Sequence, residues 1–301
     1  MEHTENTVKT RLAFLAVCFF WGSTYLAIRI GVQHFPPALL AGARFFTAGL
    51  MVAVYAKVKG LAFPKAFNEY RRIAVTGVLL LCTGSSMVFF ASKWVNSGMS
   101  SLMIATIPLF MSLIESVGLR RRSLNLRGWI GLLTGFGGVT LLVLSNSQNG
   151  TMHINGVLLL LLSALSWSVG SLYSKEFHPS GDLLTHIGIQ MMSGGIAIAL
   201  VGLFLGEGSQ VQMSLAGIGA LIYLIVFGSI VAYSSYIYIL QYWPAAKAGT
   251  YAYVNPVVAL TLGALVLGEP VSFSIIISAV IILASVYVVQ TSKVSEMAAK
   301  S

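Results

Sequence analysis

Ten separated apolar runs, each long enough to cross a bilayer, constrain this chain more than any other feature. A hydrocarbon core of about 30 Å needs about 20 residues of helix. The first five runs extend from Leu12 to Val32, Pro36 to Val58, Ile73 to Ser92, Gly98 to Leu119 and Gly128 to Ser145. The next five extend from Ile154 to Ser174, Leu183 to Leu205, Leu215 to Leu240, Ala248 to Leu267 and Val271 to Gln290. They are too long for strands and lack period-two alternation, so each is predicted to be a helix. Only 9% of residues are charged, and mean hydropathy is +0.84. That is too little charge to coat a soluble globule of this length. A soluble enzyme, a disordered chain and a nucleic-acid binder are excluded. Lys9 and Arg11 precede the first run as they would in a signal peptide, but nine runs follow, so it reads as an uncleaved helix. The expected fold class is an all-α integral membrane protein with ten transmembrane helices.

Orientation follows from Lys and Arg. With the N-terminus in the cytoplasm, 14 of the 18 basic residues fall in cytoplasmic segments. Only Lys93 falls in an outer loop, while Arg29, Arg44 and Lys247 lie within or at the ends of spans. Cytoplasmic loops carry such an excess, so both termini are expected inside. The net charge of +9 then suits an anionic inner leaflet rather than a nucleic acid. Cys18 and Cys82 each sit in an apolar run and read as small buried hydrophobes. No Cys/His spacing suggests a metal, and no cofactor is expected.

The chain repeats itself weakly. Trp21-Gly22-Ser23-Thr24-Tyr25 and Trp167-Ser168-Val169-Gly170-Ser171 are offset by 146 residues, and at that offset Arg29 meets Lys175 and Arg44 meets Gln190. At an offset of 148, Pro108 meets Pro256 and Ser85 meets Tyr233. Each half, residues 12–145 and 154–290, holds an odd number of spans. The two five-helix repeats must therefore be inverted relative to one another. Inverted repeats around a shared midplane site are a common transporter plan.

Several motifs carry a family resemblance. They are Phe20-Trp21-Gly22-Ser23-Thr24-Tyr25, Arg44, Ile107-Pro108-Leu109, the Trp167-led segment, Asn255-Pro256-Val257 and Gly268-Glu269-Pro270. In order and spacing, over about residues 12 to 290, the chain resembles the ten-span EamA branch of the drug/metabolite transporter superfamily. The resemblance implies a bacterial inner-membrane carrier, often an exporter of amino acids, metabolites or drugs. Two departures stand out. Arg121 replaces the family's acidic residue after span four, although Glu269 keeps it in the second half. Span one also lacks the embedded Glu that couples protons to drugs in four-span relatives.

Candidate site residues follow from polarity at depth. Arg44 lies about eight residues into span two, roughly 12 Å at 1.5 Å per residue, too deep to reach headgroups easily. It reads as an anion clamp or as a structural donor to neighbouring carbonyls, and Gln190 is its polar counterpart. Trp21 and Tyr25 share a face with Arg29, and Trp167 shares one with Ser171 and Lys175. These faces suit a polar cavity wall, although snorkelling also accounts for the two cations. Lys247, Tyr251 and Asn255 form a further face in span nine, just before Pro256. A proline frees a carbonyl, so Pro108 and Pro256 are expected as paired kinks or hinges. Tyr233, on a face with Ser229 and Tyr236, needs a hydroxyl partner at mid-membrane, and Ser85 is its counterpart. Glu115 sits near the inner end of span four and reads as an ion-pair or surface carboxylate.

Catalysis has no visible machinery. The Gly131 to Gly138 stretch lies inside a span and reads as helix packing rather than a phosphate loop. A channel would need a filter of repeated carbonyl donors, and none is visible. Deep basic groups outnumber deep acidic ones. The sequence therefore points to a carrier for small molecules, with amino acids or related organic anions exported by alternating access. The alternative is a multidrug exporter of cationic compounds on the same fold. A monomer or a homodimer would suffice.

Overall fold

The computed structural model describes residues 2–119, 122–147, 153–243, 248–292 and 294–296. Almost all of them are helical. The helices are α1 (Val8–Gly31), α2 (Pro37–Val58), α3 (Phe67–Ala91), α4 (Ser97–Gly118) and α5 (Leu126–Ser145). They continue as α6 (Ile154–Ser174), α7 (Leu183–Phe204), α8 (Leu215–Tyr242) and α9 (Gly249–Leu267). All nine are long and apolar enough to cross a membrane. The tenth, α10 (Phe273–Thr291), contains the shorter apolar stretch Phe273–Val289. The ten helices coincide with the ten expected spans. α3 begins earlier than its apolar run predicts because Glu69 accepts hydrogen bonds from the Lys65 and Ala66 amides, at 3.0 and 3.1 Å, and caps a polar first turn. Two three-residue strands, β1 (Arg122–Leu124) and β2 (Val294–Glu296), pair antiparallel and tie the α4–α5 loop to the C-terminal segment.

Large apolar side chains point outward, as a lipid-facing surface requires: Phe204 is 93% exposed and Leu215 91%. Inside, close backbone approach replaces the hydrophobic effect as the driving term. α2 runs along α7. A Cβ on Gly195 would lie 2.4 Å from the Phe46 amide nitrogen, so no larger residue fits that crossing. α5 runs along α10, and the stripe from Gly131 to Gly138 faces α10 side chains, as the packing reading expects. α1 packs on α8 and α9, α6 packs on α3 and α4, and α4 crosses α9.

Four helices widen into π-helical turns: α1 at Val17–Trp21, α3 at Val78–Ser85, α4 at Ile114–Gly118 and α8 at Leu224–Val231. A π turn shifts the hydrogen-bond register and turns carbonyls toward side-chain donors. Ser163 donates to the Gly84 carbonyl at 2.5 Å, and Trp21 donates to the Gly228 carbonyl at 3.0 Å. α4 is interrupted at Ala105–Thr106 and resumes at Ile107, while α9 opens as a 3-10 helix, Gly249–Tyr253, and becomes α-helical at Asn255. Pro108 and Pro256 stand second in the resumed segments, where a missing N–H is tolerated. The carbonyls four residues earlier, Ile104 and Ala252, lose their usual donor.

Candidate functional site

The helix breaks and two π turns converge on a small central cavity of about 60 Å³. α1 lines it with Trp21, Thr24, Tyr25 and Ile28, and α2 contributes Arg44. α3 adds Ser85 and Val88, α4 adds Ile104 and Ile107, α6 adds Ser163 and Trp167, and α9 adds Tyr251 and Asn255. Seven of the ten residues that the sequence singles out thus meet in one space.

Arg44 is 3% exposed. Its Nε donates to Ser229 Oγ at 2.8 Å, and its guanidinium carbon lies 4.6 Å from the centre of the Phe45 ring. Gly228 clears room for it, since a Cβ there would lie 2.7 Å from Arg44 Nη2. Among the described residues no carboxylate pairs with Arg44. Asn255 is equally buried, and its Oδ1 accepts no hydrogen bond. A desolvated cation without a charge partner in an apolar-walled cavity is a group that a ligand can satisfy.

One side of the cavity is a cluster of rings packed edge-to-face or tilted. Trp21 meets Trp167, Tyr236 and Tyr251 at centroid distances of 5.3, 5.0 and 5.0 Å. Tyr236 takes a 3.3 Å hydrogen bond from Trp167 Nε1 and shares another with Ser171 Oγ at 2.9 Å. Beyond it, Tyr233 lies 6.4 Å from Trp167 and donates to Gln190 Oε1 at 2.8 Å. Gln190 lines a second cavity of about 340 Å³ together with Ile73, Lys175, His178, His186 and Gln241. That cavity lies on the side of the bundle where α1 begins. The rings therefore stand between the two spaces.

Two expected site residues are placed elsewhere. Gln190 and Tyr233 do not line the central cavity; they hydrogen-bond to one another behind the ring stack. Lys247 lies outside the described residues, as do Arg120 and Arg121. The cations Arg29 and Lys175 bond helix-end carbonyls: Arg29 donates to Ser92 and Lys175 donates to Trp243. Sequence reasoning does not single out Thr24 or Ser163 as site residues, and it names Tyr236 only as sharing a face with Tyr233. Thr24 sits inside the Trp21-led motif, and Tyr236 follows Tyr233 on the same helix face, so both carried a readable signal. Among the described residues no group of three His, Cys, Asp or Glu side chains could hold a metal.

The profile of the EamA-like transporter family matches this chain twice, over residues 9–144 and 154–291. The chain belongs to the EamA-like transporter family. An Escherichia coli K12 protein described as the uncharacterized inner membrane transporter YedA is 34% identical over 262 residues, covering 86% of this chain and 83% of that protein. The uncharacterized transporter YoaV of Bacillus subtilis is 24% identical over 93% of this chain and 96% of its own. A WAT1-related chloroplastic protein of Arabidopsis thaliana, At3g02690, is 25% identical over 95% of this chain and 70% of its own. A solved crystal structure superposes with a TM-score of 0.64 over 95% of this chain and 97% of its own at 20% identity, a likeness of fold. This family member is a multi-pass membrane transporter of small molecules.

Proposed function

We propose that this transporter exports amino acids or related organic anions across a bacterial inner membrane by alternating access, as a monomer or homodimer with both termini in the cytoplasm. The observation that carries the substrate class is Arg44. A buried guanidinium held by one neutral hydroxyl has donors to spare, and a carboxylate satisfies them in bidentate geometry. The absence of a paired acid, among the described residues, disfavours a cation as cargo. The aromatic wall of Trp21, Trp167 and Tyr251 would accept an apolar side chain. That same wall favours the competing reading, a multidrug exporter of flat cations, which the unpaired Arg44 opposes.

Several features support two inverted five-helix repeats, 12–145 and 154–290, as the moving parts. The π segments Val78–Ser85 and Leu224–Val231 are of equal length and offset by 146 residues. Gly42 and Gly49, where α2 meets α7, recur as Gly188 and Gly195 at the same offset. The packing of α1 on α8 mirrors that of α6 on α3. At this offset Ser85 matches Val231 rather than Tyr233. Pro108 and Pro256 mark matching breaks at which the helices can bend. The inner-membrane name of the 34% identical relative supports the location, and the Lys/Arg asymmetry supports the orientation.

Proteoliposomes test the reading. Counterflow of amino acids or small carboxylates, with lipophilic cations left behind, is the expected result. Movement of lipophilic cations without amino acids or carboxylates would refute it.

A further inference from the structure

The anion reading, on which this inference rests, leaves open where cargo is first held. The central cavity, at about 60 Å³, has room for about two waters and must widen to take cargo. The second cavity, at about 340 Å³, already has the size of a ligand pocket, roughly 300–1,000 Å³. Gln190, 4% exposed, lines it. Tyr233 donates to Gln190 Oε1 at 2.8 Å and so fixes the amide. Among the described residues Gln190 Nε2 finds no acceptor, yet it is not sealed from the cavity, so its N–H groups are presented there. Lys175, His178 and His186 stand in the same wall, and none of the described lining residues is acidic. The acids that border this wall are turned to backbone amides instead. Asp182 accepts from the Ala62 amide at 2.7 Å, and Glu69 accepts from the Ser180 amide and hydroxyl at 2.8 and 2.7 Å.

We infer that the second cavity is a binding site in its own right, where the Gln190 amide, with the charge of Lys175 beside it, holds a small carboxylate before that carboxylate reaches Arg44. Gln190 and Arg44 occupy matching positions 146 residues apart, and each serves a different cavity. A neutral amide holds a carboxylate less tightly than a guanidinium does. The second cavity therefore picks up and releases cargo readily, and the firmer hold lies past the rings. The hydroxyl that orients Gln190 belongs to Tyr233, whose ring lies 6.4 Å from that of Trp167, so the waiting site touches the barrier it must pass.

Cysteine protection tests the inference on the full-length protein with Cys18 and Cys82 replaced by Ser. Gln241→Cys, at an exposed position in the wall of the second cavity, reports that site, and Ser85→Cys reports the central cavity. The probe is 4-methylpentanoate, run beside its neutral amide and inorganic phosphate. 4-Methylpentanoate should slow maleimide labelling of Gln241→Cys, phosphate should do so less, and the amide should not. That protection should persist in Arg44→Met. In Gln190→Met the protecting concentration should rise about tenfold or more. The same rise is expected for Gln190→Met in a Tyr233→Phe background, which leaves no buried hydroxyl without an acceptor. Protection of Ser85→Cys alone would overturn the second site and leave the anion reading standing. So would protection of Gln241→Cys that is lost in Arg44→Met, that is unchanged in both Gln190→Met proteins, or that phosphate matches. An unreactive Gln241→Cys would deny the cavity itself. Protection of neither cysteine would overturn both readings.

Discussion

Arg44→Met separates a residue kept for its ligand from one kept for the fold. In the ligand-free protein the opposing terms are of similar size. The change removes a charge-assisted hydrogen bond to Ser229 at 2.8 Å, a contribution of about 1.5–3 kcal/mol. It also removes a cation stacked 4.6 Å from Phe45, a contribution of up to about 2 kcal/mol. Against these, an apolar side chain of similar length relieves the desolvation of an unpaired ion, which amounts to several kcal/mol. Ser229 can turn back to bond a carbonyl of its own helix. The net change in ligand-free stability should therefore stay within about 2 kcal/mol of zero. Binding should respond differently. Loss of one member of a buried charge pair costs about 2–5 kcal/mol, or about 30-fold to a few thousand-fold in Kd. Thermal unfolding of the apo protein and calorimetric titration of an anionic ligand measure the two quantities on one sample. A collapse of apo stability, with affinity kept by the protein that remains folded, would make Arg44 a structural strut and refute the argument.

Other perturbations probe other links. Gly195→Leu should drive α2 from α7, because even a Cβ would lie 2.4 Å from the Phe46 nitrogen, and the protein should lose its monodisperse peak in size-exclusion chromatography. Trp21→Phe keeps the ring contacts but orphans the Gly228 carbonyl; the unfolding midpoint should fall by the equivalent of about 1–3 kcal/mol. Pro256→Ala returns an N–H to the Ala252 carbonyl and stiffens the break in α9; counterflow should slow by about tenfold with affinity retained, and an unchanged rate would dismiss the hinge. With Cys18 and Cys82 replaced by Ser, a cysteine at position 85 should react with a water-soluble maleimide and be protected by ligand, while one at the fully buried Ser100 should not react.

The span count was legible because a bilayer demands long uninterrupted apolar runs, and nothing else in a chain of this composition produces them. The two breaks were legible because proline removes a donor wherever it stands. Trp21, Tyr25, Arg44, Ser85, Trp167, Tyr251 and Asn255 could be found because polar groups recurred at mid-span, several of them at i and i+4 on one face. Periodicity gives a face but not the neighbour that the face meets. For that reason Gln190 and Tyr233, correctly read as buried and polar, turned out to satisfy each other behind the rings. The π turns left no trace. Val-Leu-Leu-Leu-Cys-Thr-Gly-Ser in α3 carries no residue that requires one, and the donors that use the turned carbonyls, Ser163 and Trp21, come from helices distant in sequence. Arg29 was ambiguous for a similar reason, since only the assembled bundle brings the Ser92 carbonyl to it.

The ring stack between the two cavities has an energetic consequence for any cell whose membrane is charged. Each elementary charge that slips through a potential of about 100 mV dissipates about 2.3 kcal/mol. Trp21, Trp167, Tyr233 and Tyr236 form a buried barrier of rings, cross-linked through Tyr236 to Ser171 and through Tyr233 to Gln190. With it seated, protons and salt find no water thread to follow. On the proposed alternating-access reading, cargo moves only when this barrier is dismantled and rebuilt, so flux counts whole cycles and the idle protein does not drain the battery it sits in.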